Sequence, residues 1–298
     1  MRIPDLNNSD SLIGNFQRLN SRQTDLSNQV TTGQRISKIS DDPAAAARVL
    51  QLQQQKQRLQ QYAKNGDQAL AISQTTYASI TTLKSVSDRA GELSVLGVGA
   101  TDSTAYTGWA TEVNQLIEQS VSTLNSTYDG QQLFGGTKTD AAPFTATRDA
   151  SGNITAVTYT GSTDSQSVNI SENSTVSPYS SGTTNQKLGD FITRLIALRD
   201  GLQNGDSAAV QAVQPGLSSS EDDILGTVAT IGTTQTRIEG DRTQMEARYT
   251  ELEKLTSAET DADMSTTIVK LTQTQTAYQA ALQVGAQVLR VSLLDYLR

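Results

Sequence analysis

Residues 41–96 read DDPAAAARVLQLQQQKQRLQQYAKNGDQALAISQTTYASITTLKSVSDRAGELSVL, and this stretch decides the fold class. The chain has no proline between Pro43 and Pro143, so nothing in the stretch forces a helix to stop. Apolar side chains recur at helical spacing through it, which predicts one helix from Ala44 to about Leu96. At 1.5 Å per residue such a helix is roughly 80 Å long, which is too long for a compact domain of this size to cover.

The start of this helix has a chemical cause. Asp42 can accept hydrogen bonds from free backbone N–H groups as the N-cap, and Pro43 at the first helical position lacks an N–H that would be unpaired there. The acidic runs at 41–42 and 221–223 could also suggest paired carboxylates or a metal site. Both runs precede helical patterns, so helix capping is the preferred interpretation.

Helical spacing also marks both ends of the chain. Near the amino terminus, a coiled-coil stripe interrupted by Gly33 consists of Leu12, Phe16, Leu19, Gln23, Leu26 and Val30. After a polar break at residues 257–263, the last helix carries Ile268, Leu271, Gln275, Tyr278, Leu282, Leu289 and Tyr296. Glutamine interrupts both stripes, so each helix buries too few apolar groups to offset the ordering of its backbone. We therefore expect both ends to need neighbours.

Three further helical patterns lie between the ends. A helix that carries Trp109 is expected to end near Gly130. A short helix is predicted from Phe191, Leu195, Leu198 and Leu202. A longer helix is predicted after Pro215, with a stripe at Ile224, Val228, Ile231, Gln235, Ile238, Arg242, Met245, Tyr249 and Leu252.

Residues 133–184 are instead rich in Gly, Ser, Thr and Asn. Alternation over residues 154–159 and a short run at 168–170 indicate β-strands. Residues 149–153 favour a hairpin loop in which Gly152 or Asn153 takes a positive φ. We expect a small, weakly cored module that can be removed without unfolding the helices.

The order of these segments predicts the architecture. The fold class is mainly α: a long antiparallel coiled-coil-like helical rod built from both termini, with a small β domain inserted in the middle. The first helix should pair with the last, and the second with the second-last. The predicted divisions are terminal assembly helices at 1–39 and 260–298, a long-helix rod at 40–132 and 185–259, and the inserted β domain at 133–184.

Composition excludes several classes of function. The formal net charge is -8, with basic groups concentrated towards both ends, so binding to nucleic acid is not expected. The chain contains no cysteine and no histidine, which removes thiol nucleophiles and the usual zinc ligands. No run of about 18 apolar residues occurs, so no membrane insertion is expected. We predict no catalytic, cofactor-binding or metal-binding residues, no cofactor, and therefore no enzyme.

Two other classes of protein share some of these sequence features. A chemoreceptor-like signalling coiled coil would share the helices rich in Gln, Ala and Thr, but it needs a membrane span. An enzyme carried on residues 133–184 would need a nucleophile constellation, which that segment lacks.

Four motifs carry a resemblance to a known family. They are LSNQVTTGQRI at 26–36, SDDPAAA at 40–46, LFGGTKTDAAPF at 133–144 and SLLDYL at 292–297. In this order they resemble the flagellin superfamily, and within it the hook-associated members. The match covers both helical ends, about four fifths of the chain.

This resemblance implies a structural subunit of the bacterial flagellum, exported unfolded by the flagellar type III system. It implies self-assembly into a ring, with the first hook-associated protein on one side and flagellin on the other. It also implies a cytoplasmic export chaperone bound to the carboxy-terminal helix, residues 263–298. A flagellin that forms the filament itself is the alternative.

Assembly is expected to use the apolar stripes of both ends, within one subunit and between adjacent subunits. In the first helix the residues are Leu12, Phe16, Leu19, Leu26 and Val30. In the last helix they are Ile268, Leu271, Leu282, Leu289, Leu293, Leu294 and Leu297. In the monomer both ends should be mobile and sensitive to proteases, because isolated helices of this kind are marginal in water.

Overall fold

The computed structural model describes the backbone of residues 4–99 and 102–296, and the side chains of residues 10–99 and 102–287. Its helices are α1 (Pro4–Thr32), α2 (Pro43–Gly99), α3 (Ser103–Leu124), α4 (Gly182–Gln203), α5 (Ser207–Thr260) and α6 (Met264–Tyr296). Its strands are β1 (Thr127–Tyr128), β2 (Gln131–Gln132), β3 (Phe144–Arg148), β4 (Ile154–Tyr159), β5 (Val168–Asn169) and β6 (Thr175–Val176). The mainly helical fold with a small β region in its middle is therefore confirmed.

The chain divides into two units. The terminal unit consists of residues 1–58 and 248–298, and the central unit of residues 59–247. Helices α2 and α5 each contribute residues to both units. The three-part division predicted from the sequence concerns assembly, and it stays a prediction.

The central unit holds a large apolar core, in which α3 packs along α4. All four apolar positions predicted for the short helix, residues 191, 195, 198 and 202, are fully buried in α4. The core also includes Ile80, Leu83, Leu93, Val113, Ile117, Leu124, Ile224 and Ile231. These side chains come from α2, α3 and α5, so four helices share one core in this unit.

Ion pairs show the direction in which α2 and α5 run within the central unit. Asp67 of α2 lies 3.3 Å from Arg242, whereas Lys84 lies 3.3 Å from Glu221. Position along α5 falls as position along α2 rises, so the two helices are antiparallel. The predicted pairing of the second and second-last helices is confirmed here.

Two helix boundaries differ from the predictions. Helix α5 begins at Ser207 rather than after Pro215, and the flanking side chains of Val210 and Leu217 are buried. This burial offsets the lost backbone hydrogen bond of an internal proline, which costs about 3 kcal/mol. Helix α3 ends at Leu124 rather than near Gly130.

The early end of α3 follows from Asn125, which caps it. The Asn125 side-chain amide donates to the Phe144 carbonyl at 2.9 Å and accepts from the Phe144 N–H at 3.0 Å. Asn125 thus acts as a partner for β3. Asp129 and Gly130 then form the turn between β1 and β2 with φ values of 49° and 76°, a hairpin that the sequence analysis did not identify.

The β segment is better anchored than expected. Strands β3 and β4 pair antiparallel, and their loop contains Gly152 with a φ of 89°. Phe144 and Ile154 are buried in the same core as α3 and α4. The buried Arg199 of α4 donates to the Ile154 carbonyl at 2.6 Å. The expectation of a weakly cored module is therefore wrong, because these side chains belong to the helical core. Removal of the module without unfolding the helices stays a prediction.

Gly97 marks a close approach of α2 to α4 and α5. A Cβ at this position would lie 2.6 Å from Leu202 Cδ2 and 3.2 Å from Val210 Cγ1. Gly91 lies in the same helix, and a Cβ there would meet nothing within 4 Å. The two glycines therefore form a matched pair for testing the packing of this core.

We expect Gly97→Ala to lower the free energy of unfolding by about 1–3 kcal/mol, because overpacking displaces buried side chains. Gly91→Ala should leave that free energy unchanged or raise it by up to about 1 kcal/mol, because alanine favours the helix. Urea unfolding followed by circular dichroism measures both variants. Equal effects of the two substitutions would contradict the described packing.

Candidate assembly surface

Helix α1 packs along α6 in the terminal unit, as predicted for the first and last helices. The rings of Phe16 and Tyr278 meet edge to face, with centroids 6.1 Å apart. A Cβ on Gly285 would lie 3.1 Å from the Phe16 ring, so this glycine leaves the room that the ring occupies. An aromatic side chain on α1 is thus seated on a glycine of α6.

The face of α6 that is shielded from solvent is rotated relative to the predicted stripe. Thr267 and Thr274 are buried, whereas their neighbours Ile268 and Gln275 are exposed. The Thr267 hydroxyl donates to the Asp263 carbonyl, and the Thr274 hydroxyl to the Lys270 carbonyl, each at 2.7 Å. The helix backbone satisfies these hydroxyls, so their burial leaves no polar group unpaired.

The rotation leaves an exposed apolar line along α6. Ile268 and Leu282 are each 48 % exposed, and Met264 is 40 % exposed. Residues 268, 275, 282 and 289 are spaced by seven, so they share one side of the helix. We call residues 264, 268 and 282 the α6 line. Nothing in the described part of the subunit covers it.

The sequence-derived assembly residues fall into three groups. Leu26 is buried, and Leu12, Phe16, Leu19, Val30 and Leu271 are half-buried. Ile268 and Leu282 are exposed. The side chains of Leu289, Leu293 and Leu294, together with the whole of Leu297, lie outside the described residues.

A shallow groove lies between α1 and α6. It has a volume of about 460 Å³ and is lined by Leu12, Asn15, Phe16, Arg18, Leu19, Ala281 and Val284. Five of these seven residues are apolar, and the groove is open to solvent. Apolar surface is therefore available on both sides of the seam between the two helices.

The two units differ sharply in how they use apolar residues. In the described part of the terminal unit, the buried apolar side chains are Leu26, Ala45, Ala46, Val49 and Leu252. The exposed large apolar ones there are Ile13, Ile39, Leu50, Leu255, Met264, Ile268, Val269, Leu282 and Val284. The larger central unit exposes Tyr77, Val95, Leu96 and Leu225. Uncovered apolar surface is thus concentrated in the terminal unit.

Capping carboxylates begin the two helices that follow the breaks. Asp42 Oδ1 accepts from the Ala45 N–H at 3.0 Å, and Pro43 is the first residue of α2. Asp263 accepts from the Thr266 N–H at 3.2 Å and from the Thr266 hydroxyl at 2.7 Å. Hydrogen bonds from Ala45 and then Arg35 lower the pKa of Asp42, and bonds from Thr266 lower that of Asp263. Both carboxylates act as caps at neutral pH.

A metal site or a membrane span would indicate another class of function. Among the residues that the structure describes, no group of three or more Asp and Glu side chains is placed to hold a metal ion. No helix in the described ranges is long and apolar enough to cross a membrane. A cleft of about 480 Å³ in the central unit is lined by nineteen residues, of which ten are Ser or Thr, and contains a Lys187–Asp223 ion pair of 2.7 Å.

Comparison with known families agrees with this geometry. The model of the bacterial flagellin N-terminal helical region matches residues 5–139, and that of the bacterial flagellin C-terminal helical region matches residues 222–297. Together the two models cover more than two thirds of the chain. The chain therefore belongs to the flagellin superfamily of helical flagellar proteins.

Within this superfamily, the chain is similar to hook-associated proteins. The chain is 27 % identical to flagellar hook-associated protein 3 of Salmonella typhimurium over 70 % of its own length and 72 % of that protein. It is 24 % identical to flagellar hook-associated protein 3 of Escherichia coli over 85 % of its length and 86 % of that protein. The crystal structure of Bacillus cereus FlgL shares the fold with a TM-score of 0.60 and 20 % identity, over 70 % of this chain and 99 % of that one.

The thin core of the terminal unit leads to a prediction for the monomer. We expect amide hydrogens in α1 and α6 to exchange with solvent faster than those in α4, because few buried apolar groups oppose local opening of the terminal helices. Hydrogen exchange read by mass spectrometry on the purified monomer measures this. Equal protection of α6 and α4 would show that the ends are stable without neighbours.

Proposed function

We propose that this chain is the hook-filament junction subunit of the bacterial flagellum, a structural component that connects the hook-associated zone to the flagellin filament. Its similarity to flagellar hook-associated protein 3 over most of both chains supports this assignment. The protein is exported by the flagellar type III system and acts outside the cell. It is not an enzyme, and it needs no cofactor.

The concentration of exposed apolar side chains in the terminal unit carries the proposal. Full burial of a Leu or Ile side chain stabilises a protein by about 1.5–3 kcal/mol. Ile268 and Leu282 are each about half exposed in the monomer, so about half of this free energy can still be gained when a neighbour covers them. Adjacent copies supply the missing cover. The α6 line and the groove between α1 and α6 are the surfaces that meet in a ring of subunits.

The neighbours of the ring follow from its place in the flagellum. The first hook-associated protein lies on the side of the hook, and flagellin lies on the side of the filament. Before export, a cytoplasmic chaperone covers residues 263–298, which include the α6 line. The exposed apolar side chains of α6 support this assignment, since an amphipathic helix binds a groove through its apolar face.

A test of the assembly surface uses the α6 line. The double variant Ile268→Ser/Leu282→Ser should keep the melting temperature of the monomer within about 2 °C, because both side chains are already half exposed. In a strain that lacks the native gene, it should fail to restore swarming and junction assembly. Leu225→Ser is the matched control, since Leu225 is 45 % exposed but lies in the central unit. Swarming by the double variant would contradict the assigned surface.

A second test uses the end of the chain. Replacing Leu293, Leu294 and Leu297 together by Ser should leave monomer stability almost unchanged and abolish junction assembly or chaperone binding, because these side chains are expected to act only in contact with a partner. Thermal melting, chaperone pull-down and swarming measure the three effects. A motile triple variant would remove the carboxy-terminal turn from the assembly surface.

Location separates the proposal from its alternative. Immunogold labelling of wild-type cells should place the protein at the tip of the hook, in few copies per flagellum. Labelling along the whole filament would instead identify the chain as a flagellin.

A further inference from the structure

Two breaks in the helices meet within the terminal unit. The first break, residues 33–42, separates α1 from α2, and the second, residues 261–263, separates α5 from α6. The Arg35 N–H donates to the Thr260 carbonyl at 2.7 Å, and the Ala262 N–H donates to the Gly33 carbonyl at 2.8 Å. The breaks thus form a short antiparallel bridge, which we call the joint.

Arg35 connects three elements at the joint. One guanidinium nitrogen donates to the Glu259 carbonyl at 2.9 Å, and another lies 3.3 Å from Asp42 Oδ2. The Arg35 carbonyl accepts from the Gln29 side chain at 3.2 Å. A single side chain in the first break therefore reaches the last turn of α5 and the cap of α2.

Arg48 adds a second link between the same helices. Its guanidinium forms a two-pronged pair with the Glu259 carboxylate, with both N···O distances at 2.9 Å. Arg48 lies in the second turn of α2, and Glu259 lies in the last turn of α5. Paired bonds of this kind fix direction as well as distance. Glu259 is thus held by Arg48 through its carboxylate and by Arg35 through its carbonyl.

We propose that Arg35, Arg48 and Glu259 lock the two breaks into one joint and thereby position the α1–α6 pair for assembly. An isolated ion pair at a surface contributes little, because water and salt screen it. Here the ion pairs lie beside the two backbone hydrogen bonds that join the breaks. The first break cannot move away from the second without breaking both the backbone bonds and the side-chain bonds. The three residues are positioning residues, since they act through α1 and α6. This role rests on the proposed function.

The charges at the joint make the lock sensitive to acid. The Arg48 hydrogen bonds hold the pKa of Glu259 below its usual value, and those of Ala45 and Arg35 lower the pKa of Asp42. Asp42 opposes the ionisation of Glu259 through its own charge, while Arg35 and Arg48 favour it. A lowered folded pKa adds stability above the ordinary carboxyl pKa and loses it as pH falls through the folded value. The joint should therefore weaken as pH falls through the lowered folded pKa values of Glu259 and Asp42.

Nearby carboxylates at the two breaks have their own partners. Asp41 accepts from the N–H groups of Ser37 at 3.1 Å and Lys38 at 2.8 Å, which lowers its pKa. Asp261 accepts from the hydroxyls of Ser257 and Thr260. These bonds stay within one break or one helix end. Among the bonds of the described residues, side chains cross from one break to the other through Arg35 and Arg48.

The test compares Glu259→Gln with Glu253→Gln in the full-length monomer. Glu253 also pairs across α2 and α5, with Lys56 at 3.8 Å, but lies outside the joint. Hydrogen exchange at the amides of Arg35 and Ala262 should rise about fivefold or more in Glu259→Gln and stay unchanged in Glu253→Gln. Tryptic cleavage after Lys38 should rise in parallel. Circular dichroism checks that both variants remain folded.

Two further arms isolate the lock. Arg48→Gln and Glu259→Gln should together raise exchange by less than the product of the single effects, because each substitution removes the same pair. In wild type, exchange corrected for its intrinsic pH dependence should rise as pH falls through the lowered pKa of Glu259, and this rise should be smaller in Glu259→Gln. The lock would be overturned by unchanged exchange in Glu259→Gln. It would also be overturned if the double variant raised exchange by the full product of the two single effects.

Junction occupancy and swarming test whether the joint positions α1 and α6 for assembly. Glu259→Gln should reduce junction occupancy and swarming, whereas Glu253→Gln should not. Faster exchange with normal occupancy would overturn the positioning role. Labelling of wild-type cells away from the hook tip would instead refute the proposed function and leave the exchange result standing, since exchange is measured on the monomer.

Discussion

Burial of apolar side chains between α2, α3, α4 and α5 is the interaction on which the rest of the structure depends. The central unit encloses most of its buried apolar residues in one core, to which the β3–β4 hairpin also contributes, and a second, smaller cluster contains Ala69, Ile170, Val176 and Ile238. In its described part, the terminal unit keeps a few buried apolar groups and leaves the others half-buried or exposed. The central unit is therefore stabilised by its core, while the terminal unit keeps apolar surface exposed. Both properties follow from the uneven distribution of buried apolar side chains between the two units.

Helical periodicity predicted most of the fold because long helices repeat their signal many times. The long helix α2 and the four core positions of α4 followed from spacing, and the pairing of α1 with α6 followed from the order of the helical segments. Boundaries were less predictable where a distant partner decides them. Asn125 ends α3 because it pairs with the backbone of Phe144, and no local pattern contains that contact. Pro215 stays inside α5 because its neighbours are buried, which again depends on other helices.

The shielded faces of the terminal helices were only partly predictable for the same reason. The stripe predicted for α1 is buried or half-buried, but the shielded face of α6 is rotated because threonine hydroxyls bond their own backbone and can be buried like apolar groups. A hydropathy pattern scores these threonines as polar and chooses Ile268 instead. The joint was missed because Arg35 and Glu259 are 224 positions apart in the chain. Arg35 stood within a recognised motif, but its partner gave no signal in the sequence.

The threonine-lined face of α6 has a kinetic consequence. When α1 and α6 separate, the hydroxyls of Thr267 and Thr274 keep the carbonyl partners that they have in the pair. Separation therefore leaves neither hydroxyl unpaired, and these two threonines add no broken hydrogen bond to the activation barrier. A helix with such a face can exchange one neighbouring helix for another quickly. The shielded face of α6 should therefore open more readily than the apolar core of the central unit.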